Sequence, residues 1–330
     1  MEEFHIGGVS LRGHFGLAPM AGVTDRAFRL LCAEGGAGYA VTEMVSAKAL
    51  TYRDAKSARL CDISGALCPT AVQIFGSDPA IVAEGARLAL AHSGAPVLDI
   101  NMGCPMPKIT GNGEGSALLR DPVRAAAVAR AAVRAVPVPV TAKIRTGWDE
   151  TSINAVEVAL RLQEAGVAAL CIHGRTRAQG YSGRADREVM ARVVEALSIP
   201  VLVNGDIAAP EDGAALLAET GARYALIGRG SLGAPWLFGQ CEACLSGLPV
   251  PPAPAPAERL SLLVRQTELA AAEKGEYTAV HEARKHASWY LKGFRGAAAF
   301  RRSCNALNTL AGLRAWAQEA AEQLSFAELE

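Results

Sequence analysis

Apolar residues along this chain fall into short runs of strand length, separated by longer alanine-rich stretches in which they recur at helical spacing. Eight runs read as strands: Phe15–Ala18, Gly38–Thr42, Thr70–Ile74, Val97–Ile100, Val138–Ile144, Ala168–Ile172, Pro200–Val203 and Tyr224–Ile227. Helical patterns lie between them at Pro79–His92, Asp121–Val136, Thr151–Ala165, Arg187–Ala196 and Pro210–Thr220, several opening with Asp, Thr or Pro. Continuous apolar strands alternating with helices suit parallel strands covered on both faces. Eight such units predict a (β/α)8 TIM barrel. An open doubly wound sheet is the competitor, and no Gly-x-Gly-x-x-Gly turn follows the first strand to support it.

The pattern changes at residues 248–257, a proline-rich connector expected to be extended and stiff. From Glu258 the spacing is helical with no strand runs, predicting about four helices in a small all-α bundle. The expected division is a barrel over 1–247, a linker over 248–257 and a helical domain over 258–330.

At 330 residues with 50% hydrophobic and 20% charged content, the chain has the composition of a compact globular protein. Lys+Arg and Asp+Glu are both 33, so any basic surface has to be local. No apolar run reaches the roughly 20 residues of a membrane span, and Met1 to His5 carries no basic signal region; the expectation is a cytoplasmic protein. The eight cysteines are scattered, mostly in apolar runs, as reduced thiols are. The lone Cys-x-x-Cys at Cys241 and Cys244 lacks a second ligand pair, so helical packing is preferred over zinc and no metal is expected.

Barrel enzymes build their sites at the carboxyl ends of the strands. There this chain places Pro19-Met20-Ala21-Gly22, Glu43, Gln73, Asn101 with Cys104, Lys143 with Arg145, His173 with Arg175 and Arg177, Asn204-Gly205-Asp206, and Gly228-Arg229. Lys143, Gln73 and Asn204 suit the edge of a flat heteroaromatic ring. The glycine-flanked loops after strands seven and eight suit a phosphate, with a helix start near Ser231. A phosphorylated heteroaromatic cofactor follows, FMN in preference to pyridoxal phosphate, which would take Lys143 as its Schiff base.

Six stretches in one order resemble the tRNA-dihydrouridine synthases, most closely the bacterial B-type branch: Ala-Pro-Met-Ala-Gly-Val-Thr-Asp at 18–25, Val-Gln-Ile-Phe-Gly-Ser-Asp at 72–78, Asp-Ile-Asn-Met-Gly-Cys-Pro at 99–105, Lys-Ile-Arg-Thr-Gly-Trp at 143–148, Ile-His-Gly-Arg-Thr-Arg at 172–177 and Val-Asn-Gly-Asp-Ile at 203–207. The resemblance implies an FMN barrel that reduces uridines of tRNA to 5,6-dihydrouridine with NADPH, hydride passing from flavin N5 to uracil C6 and a proton from Cys104 to C5. It assigns the flavin to Pro19, Met20, Ala21, Gln73, Lys143, His173, Asn204, Gly205, Asp206, Gly228 and Arg229. It assigns the uracil to Asn101 and Arg145, and RNA backbone at the mouth to Arg175 and Arg177.

Between Glu282 and Arg302 lie Arg284, Lys285, Lys292, Arg295, Arg301 and Arg302, with Trp289, Tyr290, Phe294 and Phe300 interleaved. The basic residues, Arg284, Lys285, Lys292 and Arg295 foremost, are read as tRNA contacts and the aromatics as anchors of the bundle core. No protein partner is called for, and a monomer is expected. The glycine-rich run Thr110 to Gly115 is a candidate lid. Two rival readings stand beside this one: an FMN barrel acting on a free small molecule such as a dihydropyrimidine, and a non-enzymatic RNA-binding protein that keeps the barrel as a scaffold.

Overall fold

The computed structural model describes residues 3–326. Eight parallel strands close into a barrel: Phe15–Leu17, Ala40–Ser46, Thr70–Phe75, Val97–Met102, Val140–Arg145, Ala169–His173, Val201–Asn204 and Tyr224–Ile227, the last pairing with the first. The TIM barrel expected from the strand count is therefore present. Both faces of the strands are covered, so Thr70–Phe75 and Val97–Met102 are buried along their whole length. Each fully buried Ile or Leu in them contributes roughly 1.5–3 kcal/mol.

Most helix starts follow the sequence signals. Asp25, Asp78, Asp121 and Asp186 cap helices Arg26–Glu34, Pro79–Ser93, Pro122–Ala135 and Arg187–Ala196 through their carboxylates, satisfying first-turn N–H groups. The helix expected from Thr151 begins instead at Ala155, because Asp149 accepts hydrogen bonds from Thr151 and Ser152 and holds that stretch in a turn. The second strand also runs further than predicted, to Ser46, through a bulge between Val41 and Met44. Glu43 sits in that bulge and accepts a hydrogen bond from Gly22 N–H, so it closes a loop rather than ending a strand.

An N-terminal hairpin, Phe4–Ile6 with Val9–Leu11, gave no sequence signal of its own. Its Phe4, Ile6 and Leu11 pack with Tyr39 and Tyr224 over the amino-terminal end of the barrel. Cys241 and Cys244 lie on helix Leu237–Leu245.

From Pro256 the chain is helical: Pro256–Lys274, Glu276–Tyr290, Ala297–Ser303 and Leu310–Gln323, with a two-residue strand pair, Phe294–Arg295 against Ser325–Phe326. These helices have their own apolar core, in which Leu263, Ala287, Tyr290, Leu291 and Leu313 are buried. Tyr290, Phe294 and Phe300 are core residues, whereas Trp289 packs against the barrel's cluster. The connector is tied down at both ends, Gln240 donating to the Pro251 carbonyl at 2.7 Å and Arg259 to that of Pro254 at 2.9 Å. Among the described residues no helix is long and apolar enough to cross a membrane.

Helix Pro256–Lys274 packs on helix Arg26–Glu34 of the barrel, where Lys274 reaches Asp25 at 2.7 Å and Arg265 pairs with Glu34. A close backbone approach lies at Gly233, after the last strand. Its φ is +66°, and a Cβ there would lie 2.4 Å from the Trp289 carbonyl carbon. Gly233→Ala should therefore lower stability by about 2 kcal/mol, read as a reduced midpoint in urea unfolding; an unchanged midpoint would show that the two units are free to separate.

Candidate active site

The carboxyl end of the barrel opens into a cavity of about 910 Å³ that continues to the helical region. Its floor is made by side chains leaving the strand ends: Gln73, Asn101, Lys143, His173 and Asn204. Pro19, Met20 and Ala21 line one wall, Gly205, Asp206, Gly228 and Arg229 another, and Cys104 with Arg145 a third. Lys285 and Lys292 stand at the helical end. Of the residues assigned to cofactor, uracil or tRNA from sequence, Arg175, Arg177, Arg284 and Arg295 do not line this space.

Register explains the convergence. In neighbouring parallel strands Asn101 pairs with Lys143 and Lys143 with Cys171, and one step further along Arg145 pairs with His173 and His173 with Asn204, so polar side chains recur in two successive rows at this end of the barrel. They also bond to one another. Lys143 Nζ donates to Asn204 Oδ1 at 3.1 Å, and Asn204 Nδ2 donates to the Leu226 carbonyl at 2.7 Å. Asn101 Nδ2 donates to Gln73 Oε1 at 2.9 Å, and Gln73 Nε2 to Asp99 Oδ2 at 2.7 Å. Asp99 stood in the motif without a role, yet it lies buried beneath the site, accepting also from Thr141.

Cys104 is half-buried, and its backbone N–H donates to Asn101 Oδ1 at 2.9 Å. Burial raises its pKa above the ordinary thiol value, with the Met106 N–H and Arg145 opposing, so the group stays protonated at neutral pH. The Thr110 to Gly115 stretch is a tight turn after the short helix Pro107–Thr110, and Ser116 fastens its far end to the Cys104 carbonyl through N–H at 3.1 Å and Oγ at 2.8 Å.

Arg145 is buried and staples two loops, donating from Nε to the Gly103 carbonyl and from Nη1 to those of Thr176 and Gly180, all at 2.8–2.9 Å. Burial lowers its pKa to about 10, which leaves it charged at neutral pH. Burial also lowers that of Lys143, while Cys171 and Asp99 oppose. His173 is pushed well below the usual histidine range, first by burial and then by Lys143, Arg145, Arg175 and Arg229, so its imidazole is neutral. Tyr181 escaped the sequence reading. It is 56% exposed, lines the cavity, and lies under Arg229 at 4.6 Å and Arg145 at 5.7 Å.

Two expectations change. Arg175, read as an RNA contact, is 2% exposed; it donates to the carbonyls of Ser182 and Gly183 and pairs with Asp206 at 2.7 Å. That pair holds Asp206 in the left-handed region at φ +51°. Arg284 is likewise turned inward, to the Leu307 carbonyl and Asn308 Oδ1. Arg177 lies over Trp148 at 4.4 Å on the rim, with Arg120 over the same ring at 5.0 Å. Arg295, Lys285 and Lys292 are exposed.

A family model described as dihydrouridine synthase (Dus) matches residues 16–325. Among curated proteins, tRNA-dihydrouridine synthase B of Pseudomonas aeruginosa is 45% identical over 308 residues, 93% of this chain and 92% of that one. The protein of the same name from Vibrio cholerae is 43% identical over 305 residues, 92% of this chain and 94% of that one. Among solved structures, 2-naphthoyl-CoA reductase shares 12% identity with a TM-score of 0.59, over 75% of this chain and 52% of that one. A morphinone reductase variant in complex with tetrahydroNAD shares 14% with a TM-score of 0.54, over 74% and 90%. Likeness at that identity concerns the fold alone.

The Arg175–Asp206 pair generates a prediction. Arg175→Leu leaves a carboxylate without its buried partner, so stability should fall by ~2–4 kcal/mol, measured by urea unfolding. An unchanged midpoint would mean that Asp206 finds solvent instead.

Proposed function

Because the chain belongs to the dihydrouridine synthase family, we propose that it reduces uridines of tRNA to dihydrouridine, with FMN as its resident cofactor and NADPH as reductant, acting in the cytoplasm as a monomer. The observation that carries this reading is Cys104: a protonated, half-buried thiol on the same cavity as Gln73, Lys143, Asn204 and the two glycine loops.

The residues fit a flavin mononucleotide. A Cβ at Gly228 would meet only Ala18, Met20 and Asn204, each at 3.8–4.0 Å, so the glycine leaves open a space bounded by cavity residues. Lys143, Gln73 and Asn204 offer hydrogen-bonding groups to a ring edge, and Pro19, Met20 and Ala21 an opposing wall. Arg229 supplies positive charge near the loops after strands seven and eight, where a phosphate would sit. His173, being neutral, serves as a hydrogen-bonding neighbour of the cofactor rather than as a proton carrier.

A bound flavin supplies the hydride for uracil C6. The protein's part is to bind the base, stabilise charge at its carbonyls and protonate C5. Cys104 is the acid, since a thiol held protonated has the proton to give. Arg145 keeps its charge and, fixed by three carbonyls, faces the developing enolate without reorganising. Asn101 has one Nδ2 hydrogen left after its bond to Gln73, which we assign to the uracil. Drawing the base out of the folded tRNA costs a few kcal/mol. Lys285, Lys292 and Arg295 on the helical unit, which we take as residues 258–330, together with Arg177 at the rim, offset that cost by binding phosphates elsewhere.

Cys104→Ala should abolish dihydrouridine formation while the purified protein remains yellow; near-normal turnover would exclude Cys104 as the acid. The protonated form is the active one, and its pKa is raised. The rate should thus hold through about pH 8.5, where an unperturbed cysteine is half ionised, and fall only above it. A decline centred below that value would contradict the assignment. Replacing both Lys285 and Lys292 by Ala should weaken tRNA binding and lower the slope of log affinity against log salt by about two. Reduction of free uridine at the rate of tRNA would favour the small-molecule reading.

A further inference from the structure

We propose that Asp99 is a positioning residue that orients the Cys104 loop through a one-way chain of hydrogen bonds running by way of Gln73 and Asn101. The proposal deepens the assignment of Cys104 as the acid and rests on it.

The chain can be followed donor to acceptor. The backbone N–H groups of Gly103 and Cys104 donate to Asn101 Oδ1 at 3.2 and 2.9 Å. Asn101 Nδ2 donates to Gln73 Oε1 at 2.9 Å, and Gln73 Nε2 donates to Asp99 Oδ2 at 2.7 Å. Asp99 Oδ1 accepts the Thr141 hydroxyl proton. The three side chains in the chain are 0%, 4% and 8% exposed at Gln73, Asp99 and Asn101, so water has little access to replace a link.

A carboxamide can be turned about to exchange its oxygen and nitrogen, and nothing in its own shape forbids this. Here both ends of the chain have fixed polarity. A backbone N–H only donates, and a carboxylate only accepts. Turning either Asn101 or Gln73 would set donor against donor on one side and acceptor against acceptor on the other. Each mismatch leaves a buried polar group unsatisfied. Protonation of Asp99 does not break the logic, because a protonated Oδ1 donates a hydrogen bond to the Thr141 hydroxyl oxygen while Oδ2 still accepts from Gln73.

Two consequences reach the cavity. Gln73 has a single unused hydrogen on Nε2, so a cofactor group that faces that hydrogen is an acceptor. Asn101 is held with its oxygen toward the Cys104 N–H, which sets the direction in which the loop leaves the strand and hence where the thiol points.

The polarity can be broken and restored without changing shape. Gln73→Glu keeps an acceptor for Asn101 but sets an oxygen against the Asp99 carboxylate, a contact that closes only by binding an extra proton between the two carboxyls; alkylation is therefore followed at about pH 9, where that proton is least available. Adding Asp99→Asn supplies a donor from position 99 and completes the chain again. Neither the single nor the double variant keeps the Gln73 donor for a cofactor, so cofactor loss affects the two alike. The readout is the rate at which iodoacetamide alkylates Cys104 in the purified protein, followed by peptide mass spectrometry, with buried Cys171 as the reference for a folded barrel. Gln73→Glu should raise the Cys104 rate about tenfold, the equivalent of a buried mismatch. Asp99→Asn alone, which still accepts from Gln73, should stay within about twofold of the parent, and the double variant should return to within about threefold. A double variant as reactive as Gln73→Glu, or one that unfolds with it, overturns the proposal. Thiol reactivity is read without RNA, so absence of dihydrouridine formation would count against the proposed function and leave this result standing.

Discussion

A parallel barrel covered by helices leaves no solvated face, so every polar side chain that points inward must find its partner inside the protein. The upper part of this barrel is governed by that requirement. Gln73, Asp99, Asn101 and Thr141 satisfy one another, and Lys143 and Asn204 form a second group that ends on the Leu226 carbonyl. The bonds that make these residues tolerable in the core also fix their orientation. Preorganisation of the site is thus a by-product of satisfying the core, and it requires no separate stabilising device.

The same constraint explains why the arginines behave so differently from one another. Arg145 and Arg175 are buried and turn their guanidinium groups on loop carbonyls, which ties the segments after strands four and six to the end of strand five. Their charge nevertheless remains in the cavity wall. With Lys143 and Arg229 it forms a positive field that adds to burial, the larger cause, in keeping His173 neutral, while the carboxylates of Asp99 and Asp206 keep the field from being larger. At Cys104 the balance goes the other way: burial outweighs the neighbouring Arg145, and the thiol keeps its proton. The roles proposed for Cys104 as acid and Arg145 as charged stabiliser need that ordering, because an arginine acting more strongly would have left a thiolate with no proton to give.

Much of this could be read from sequence, and the parts that could not share a cause. The strands were legible because buried parallel strands are continuous apolar runs, and the strand-end residues because their spacing from those runs is short. Asp99 was quoted within its motif but passed over, since a carboxylate inside an apolar strand carries no local sign of who its partners are; Gln73 and Thr141 lie 26 and 42 residues away. Tyr181 was missed because it stands in a glycine-flanked loop whose position depends on the carbonyls held by Arg145 and Arg175. The N-terminal hairpin was too short for periodicity to mark. In each case the missing information was a long-range pairing rather than a local preference.

The helical unit makes the same point with charge. Sequence placed Arg284 and Lys285 together as one basic surface, yet adjacent residues on a helix point about 100° apart. The phase is set by the buried positions Ala283, His286, Ala287 and Tyr290 of helix Glu276–Tyr290. Against that phase Lys285 faces outward, its ammonium 5.2 Å from the Trp289 ring, while Arg284 flanks the buried side and closes on the Leu307 carbonyl. Trp289 in turn packs on the barrel beside Gly233. A side chain that belongs to the helical unit but rests on the barrel thereby fixes which cations look into the shared cavity. The count of basic residues gave the sign of the surface; the packing of Trp289 determines where that charge is delivered.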